Sequence, residues 1–155
     1  MAFTFEVLKN TRAFFKQFIE ANSLEDLNKV PKGFNNNIIW NIGHIVVTEQ
    51  LLAYRLSGLP VMVSDKLVEA YKKGTKPQGD VDQEEVNEIA TLLFSTIKRT
   101  EEDYNNKAFK NFTPYTISTT GNTLNTIDES LQFVLFHEGI HLGYVLALLH
   151  AIKNQ

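Results

Sequence analysis

The sequence TIDESLQFVLFHEGIHLGYVLALLHAIK, residues 126–153, predicts a single long helix. Thr126 and Glu129 have the spacing of a capping box, which opens a helix by satisfying free backbone N–H groups. At a rise of about 1.5 Å per residue, the helix would be roughly 40 Å long. Its most apolar part, Gly139 to Ile152, falls short of the roughly 18 apolar residues of a membrane span. We therefore expect a buried helix of a globular domain.

Three further long helices are predicted from the spacing of apolar residues and from helix start and stop signals. The first covers Phe3 to Ala21 and has one apolar stripe. The second covers Ile38 to Leu56, where β-branched residues make a strand conceivable but the length favours a helix; Gly58 and Pro60 mark its end. The third follows the acidic cap at Asp82 and reaches about Tyr104.

Four long helices and no convincing strand pair predict an all-α fold, a four-helix bundle in which residues 1–155 form one domain. The connection between the second and third long helices is long and holds a short helical piece near Asp65–Lys72. The second and fourth helices are apolar almost all round, which suggests a homodimer in which they also face a second subunit. The alternative is that loop residues of the same chain cover the extra faces.

Composition excludes several classes of protein. The 155 residues include 15 basic and 18 acidic side chains, and a net charge of −3 argues against a nucleic-acid partner. There is no cysteine, which excludes disulfides, thiolate zinc sites and a nucleophilic thiol. Charged residues interrupt the apolar runs after Met1, so no signal peptide is predicted. We expect a cytoplasmic protein without a membrane partner.

The pair His137 and His141 is the main candidate for chemistry. Four residues apart on a helix, the two imidazoles share one face and can reach one metal ion. A single histidine on an apolar helix is more often a hydrogen-bonded core residue than a ligand. Two on one face of the most apolar helix favour metal binding, because burying two unpaired imidazoles would be costly.

The string His137-Glu138-Gly139-Ile140-His141 also matches the H-E-x-x-H motif of zinc metalloproteases, which needs a third ligand. The extended form of that motif requires a glycine and a histidine at positions where this chain has Tyr144 and Ala147. The other common form requires a downstream glutamate, but residues 139–155 contain no acidic side chain. The protease interpretation therefore lacks a ligand.

The third ligand is predicted to be His44. His150 lies nine residues after His141 and hence on the opposite face of the helix, where it can cap the last carbonyls. His44 lies in the middle of the second apolar helix, next to Gly43, which allows a neighbour to approach closely. Three neutral imidazoles would leave a coordination position open, as catalytic sites do. Such donors suit zinc, nickel, copper or ferrous iron, and the residues do not select among them. Our expectation is one divalent ion, zinc or nickel.

At this point the sequence resembles the DinB-like superfamily, which includes relatives of the bacillithiol transferases. Three features carry the resemblance, and together they cover essentially the whole chain. They are Trp40 with His44, Thr120-Gly121 before the last helix, and His137, His141 and Gly143. The resemblance implies an up-down-down-up bundle, often a homodimer, with a divalent metal on His44, His137 and His141.

Characterised relatives use the metal to activate a low-molecular-weight thiol, so the resemblance implies a metal-dependent thiol transferase acting on a small molecule. A metal-dependent hydrolase and a non-catalytic metal- or ligand-binding module are the alternatives. Glu138 is a candidate general base, or else it forms a salt bridge or holds a ligand's second nitrogen. Trp40, one turn before His44, is a candidate pocket wall, although a lone tryptophan on a helix is more often part of the core.

Overall fold

The computed structural model describes residues 1–154, and the fold is all-α apart from one small hairpin. Four helices are long and two are short. The long ones are α1 (Ala2–Ala21), α3 (Ile38–Gln50), α5 (Gln83–Asn105) and α6 (Ile127–Lys153), and the short ones are α2 (Leu24–Asn28) and α4 (Asp65–Tyr71). A π-helical segment, Leu51–Arg55, continues α3, and the strands β1 (Tyr115–Thr116) and β2 (Thr123–Leu124) pair antiparallel.

Side-chain caps fix where the long helices begin. Asn37 accepts from the N–H of Trp40 at the start of α3, and Asp82 accepts from that of Glu85 at the start of α5. Thr126 accepts from the N–H of Glu129, which confirms the predicted cap of α6. Each cap pairs a backbone donor that the first turn of a helix leaves free.

The four long helices pack around a common core. Helix α1 contacts α5 and α6, and α3 contacts the same two helices. The pairs Lys9–Glu101 and Arg12–Thr96 show that α1 and α5 are antiparallel. The pairs of residues 41 with 141 and 52 with 130 show the same for α3 and α6. The complete up-down-down-up order stays a prediction.

The second long helix departs from its predicted form. The sequence predicts one helix over 38–56, but the last turn widens into the π-helical segment, where the N–H of Leu56 donates to the carbonyl of Leu51. The buried hydroxyl of Ser130, on α6, donates to the carbonyl of Leu52 at 2.8 Å. π-turns are often found at functional sites. Here the widened turn forms part of a cavity wall, described below.

The second and fourth long helices differ in how far the rest of the chain covers their extra apolar faces. Every residue of α3 except Thr48 is buried within the chain, so cover from the same chain accounts for its apolar surface. Helix α6 instead exposes about half of the side chains of Phe136, Ile140 and Leu146. A second subunit could therefore cover α6 but not α3, and the homodimer stays a prediction.

The sequence predicts that the last helix has too few apolar residues to span a membrane, but α6 as a whole is long and apolar enough to do so, with a mean hydropathy of 1.3 over its best window. Length and composition are weak evidence, because core helices pass the same test. In the structure α6 packs against α1 and α3, and its fully buried Glu138 is paired with Arg12 of α1. These contacts are those of a bundle helix.

The sequence shows no convincing strand pair, but the connection between α5 and α6 contains one short pair. Residues 115–124 form a hairpin in which Thr116 pairs with Thr123 and Tyr115 with Leu124. Ile117 and Leu124 are buried and anchor the hairpin on the bundle. Two apolar residues in a threonine-rich stretch give too weak an alternating pattern to predict strands.

Candidate metal centre

His44 on α3 and His137 and His141 on α6 converge as the sequence predicts. One ring nitrogen from each lies within 4.8 Å of those of the other two. The Nε2 atoms of His137 and His141 are 3.2 Å apart. With zinc–nitrogen bonds of about 2.0–2.1 Å, two ligands of a tetrahedral ion lie about 3.3 Å apart. The pair on α6 thus has the separation that a single ion requires.

Two of the three imidazoles are held by their other ring nitrogen. His44 Nδ1 donates to the backbone carbonyl of Tyr71 at 2.6 Å, and His141 Nδ1 donates to Asn41 Oδ1 at 2.7 Å. Asn41 is oriented in turn, because its Nδ2 donates to the carbonyl of Asn37. These bonds place the proton of each ring on Nδ1 and leave Nε2 as the lone-pair nitrogen, an arrangement typical of metal sites. The hydroxyl of Thr48 lies 3.4 Å from Nε2 of His44. The buried Nδ1 of His137 has no partner among residues 1–154.

Gly43 allows the carbonyl that holds His44 to come close. A Cβ atom at position 43 would lie 2.5 Å from the ring of Tyr71, closer than any side-chain carbon can tolerate. Tyr71 is the last residue of α4, and its hydroxyl donates to Glu85 on α5 at 2.7 Å. The predicted role of Gly43, close approach of a neighbour, is therefore met by α4 rather than by a ligand.

The electrostatics of the site favour neutral imidazoles. Burial lowers the pKa of His44, that of His141 to about 4, and that of His137 to about 2. Repulsion by neighbouring histidines lowers the pKa of His137 and His141 further. At His44 the hydrogen bond to the Tyr71 carbonyl opposes the effect of burial, and the charge of Lys73 lowers the pKa of both His44 and His137. Only a neutral imidazole can donate a lone pair to a metal. The site is therefore ready to bind a cation at neutral pH.

Trp40 packs against His44 and does not line the cavity that adjoins the three histidines, which is described below. The indole stacks on the imidazole with ring centroids 4.7 Å apart and planes 11° from parallel. Its Nε1 donates to Thr75 Oγ1, and only 7% of the residue is exposed. The structure thus favours the core interpretation of Trp40 over the pocket-wall one.

Glu138 points into the bundle core. Its Oε1 accepts from Nε and Nη2 of Arg12 at 3.0 and 2.7 Å, and both side chains are completely buried. Glu49 of α3 lies 3.8 Å from the same guanidinium and accepts from Thr100 of α5 at 2.6 Å. Glu138 is not among the residues that line the cavity. This geometry favours the salt-bridge interpretation over a general base.

A cavity of about 500 Å³ opens beside the three histidines, all of which line it. Its wall is mainly apolar, and the π-helical segment, α6 and the hairpin each contribute to it. The volume is in the range of small-molecule sites. The apolar wall residues include Leu51, Leu52, Leu56, Ile117, Phe133, Phe136 and Ile140, and the hydroxyl-bearing ones include Thr48, Thr119 and Thr120.

Sequence reasoning missed the groups that orient the ligands. Asn41 gave a signal that could have been used, since it is a polar residue between the apolar residues Trp40 and Ile42. Tyr71 gave none, because it acts through a backbone carbonyl, which every residue has. His150, expected outside the site, is exposed near the end of α6, where Asn154 donates to its carbonyl.

Three neutral histidines from two helices of a bundle meet beside a cavity. This arrangement places the protein among helical proteins that could hold a metal ion. The chain belongs to the DinB superfamily, whose family model matches residues 7–145. The superfamily is metal-binding, in agreement with the histidine cluster. No curated protein matches the chain significantly.

Proposed function

We propose that the protein binds one divalent metal ion, zinc or nickel, through His44, His137 and His141, and uses it to transfer a low-molecular-weight thiol to an electrophile. The observation that carries the proposal is the three-histidine cluster at the side of a largely apolar cavity of small-molecule size. Three protein ligands and an adjoining cavity are typical of catalytic sites, whereas structural zinc sites are closed by four protein ligands.

The protein residues prepare this site in three ways. Tyr71 and Asn41 fix the tautomers of His44 and His141, so that Nε2 of each carries the lone pair. Burial lowers the pKa of all three imidazoles and so favours their neutral forms. The apolar wall limits the access of water to the reacting groups. When bound, the divalent ion supplies positive charge that favours the thiolate form of a thiol at neutral pH.

The transfer step is a displacement. The thiol sulfur forms a bond to the electrophilic carbon, and the leaving group departs with its electron pair. The thiol proton passes to solvent, because no aspartate or glutamate lines the cavity to accept it. Since the chain has no cysteine, the reactive sulfur must arrive with the substrate.

Metal content is the first test. Untagged protein should hold about one divalent ion per chain, and His44→Ala should lower that content strongly. His150→Ala is the matched control, because His150 is exposed and lies outside the cluster. Metal-free protein, or equal metal loss in both variants, would contradict the proposed site.

Cobalt substitution tests the thiol step. Because the chain has no cysteine, a sulfur-to-cobalt charge-transfer band that forms on adding a thiol must come from that thiol. We expect the band with the wild type and with His150→Ala but not with His44→Ala, followed by metal-dependent turnover in a screen of thiols against electrophiles. Turnover of esters or amides without thiol would instead indicate a hydrolase. Neither band nor turnover would indicate a non-catalytic binding module.

A further inference from the structure

The cavity beside the histidines carries positive side-chain charge and no negative charge. Two cations line it: Arg55 of the π-helical segment and Lys73, two residues after α4. No aspartate or glutamate belongs to its wall. The chain as a whole has a net charge of −3, so the positive wall is a local feature and not a consequence of composition.

Neither cation is neutralised by a carboxylate within residues 1–154. Lys73 donates from Nζ to the hydroxyl of Ser118 at the hairpin, which is a neutral partner. Arg55 forms no ion pair with the acidic side chains that the structure describes. The other two arginines, Arg12 and Arg99, are each paired with a carboxylate. The cavity therefore holds two cations that can bind an external anion.

The remaining wall places these charges beside an apolar surface. Leu51 and Leu56 come from the segment that carries Arg55, and Phe133 and Phe136 come from α6. Arg55 and Lys73 are both exposed to solvent, so the apolar wall strengthens their attraction for an anion where the bound ligand excludes water. The combination matches a molecule that has one charged end and one apolar end.

We propose that the ligand of this cavity is a small amphipathic anion, whose carboxylate or phosphate group is held by Arg55 and Lys73. The guanidinium of Arg55 can bind such a group through two parallel N–H donors, and Lys73 adds a point charge. The apolar body of the ligand packs on the leucine and phenylalanine side chains. The inference rests on the proposed function for the reacting group, since the anion belongs either to the thiol or to the electrophile.

The test is a calorimetric titration of the zinc-loaded protein with octanoate and with octanamide, which have the same apolar chain and differ in charge. We expect octanoate to bind more tightly. The double variant Arg55→Gln/Lys73→Gln should weaken octanoate binding about tenfold or more, as the loss of charge-assisted hydrogen bonds predicts, and leave octanamide binding unchanged. Lys98→Gln is the control, because Lys98 is exposed on α5 and does not line the cavity.

Two results would overturn the anion site. One is equal affinity of the wild type for octanoate and octanamide. The other is octanoate binding that the Arg55/Lys73 variant retains but His44→Ala loses, which would mean that the carboxylate binds the metal instead. Far-UV circular dichroism and zinc content, measured for each variant, show whether the fold and the metal centre are intact.

A second pair of probes separates this inference from the thiol chemistry and shows which substrate carries the charge. Cobalt-loaded protein is titrated with 3-mercaptopropionate and with its methyl ester. Tighter binding of the acid, lost in the Arg55/Lys73 variant, places the anion on the thiol, and equal binding places it on the electrophile. If neither thiol gives a charge-transfer band while octanoate keeps its dependence on the two cations, the thiol function fails and the anion site stands.

Discussion

Replacing Arg12 by methionine tests whether the buried charges of the core balance one another. Methionine keeps much of the apolar stem of Arg12 but removes the guanidinium, which is fully buried and donates to Glu138, to the carbonyl of Leu93 and to Thr96. Glu138 and Glu49 would then be buried carboxylates without a cation. Removing one partner of a buried pair costs about 3–5 kcal/mol.

The matched control is Lys9→Met, on the same helix. Lys9 pairs with Glu101 at 2.9 Å, nearly the 2.7 Å of the Arg12–Glu138 contact, but its side chain is 45% exposed and that of Glu101 28%. Exposed pairs contribute about 0.2–1 kcal/mol. Burial, and not distance, therefore accounts for the expected difference between the two variants. The measurement is urea unfolding followed by circular dichroism at pH 7.

The pH dependence of the Arg12→Met penalty gives a second, independent readout. Burial raises the pKa of the Glu138 carboxyl, and the charge of Arg12 opposes that rise. Without Arg12 the folded state takes up a proton at a higher pH than the unfolded state, so the penalty should shrink as the pH falls from 7 to 5.5. The wild type, measured at the same pH values, removes the contribution of the histidines.

The double variant Arg12→Met/Glu138→Gln completes the design. It should recover part of the lost stability at pH 7 and lose most of the pH dependence, because glutamine cannot ionise. It also keeps the test informative if Arg12→Met alone does not fold at pH 7. A penalty for Arg12→Met no larger than that for Lys9→Met, or one that does not change with pH, would refute the reasoning.

Four further predictions concern the site and the exposed helix face. Gly43→Ala should cost about 1–3 kcal/mol of stability, since its Cβ would clash with Tyr71, and should weaken zinc binding in competition titrations; Gly139→Ala, whose Cβ meets nothing within 4 Å, should do neither. Metal-free protein should lose stability in urea as the pH falls below about 6.5, by up to about 2 kcal/mol per site histidine at pH 5, because the folded state keeps these histidines neutral while the unfolded chain binds protons; a flat profile would contradict this. Chelation should lower the melting temperature without abolishing helical circular dichroism, because protein groups already hold two of the imidazoles; unfolding on chelation would indicate a structural metal. In sedimentation equilibrium the wild type should be a dimer and Leu146→Glu a monomer, since Leu146 is half exposed on α6; an unchanged state would exclude this face.

The helices and the histidine pair of α6 could be predicted from the sequence because both depend on local periodicity. The capping pair at Thr126 and the four-residue spacing of His137 and His141 each act within one helix, where sequence distance fixes spatial distance. The prediction of His44 as a ligand was less direct, since its position opposite the pair depends on how α3 packs on α6.

What escaped prediction depends on contacts between elements that are distant in the sequence. The carbonyl of Tyr71 reaches His44 across 27 positions, and Arg12 reaches Glu138 across 126. A lone arginine in an amphipathic helix is normally assigned to the solvent side, so its complete burial has no local signal. The hydroxyl of Ser130 on α6 likewise reaches the carbonyl of Leu52 in the π-helical segment across 78 positions.

The cavity beside the histidines combines residues of the long helices with residues of the small hairpin. All three histidines stand on long helices of the bundle core, whereas Tyr115, Ile117, Thr119 and Thr120 of the cavity wall belong to residues 115–124. Loops tolerate substitution and insertion far better than the helices that they connect. Substitutions in the hairpin can therefore reshape this part of the cavity wall while the helices that carry the histidines keep their packing.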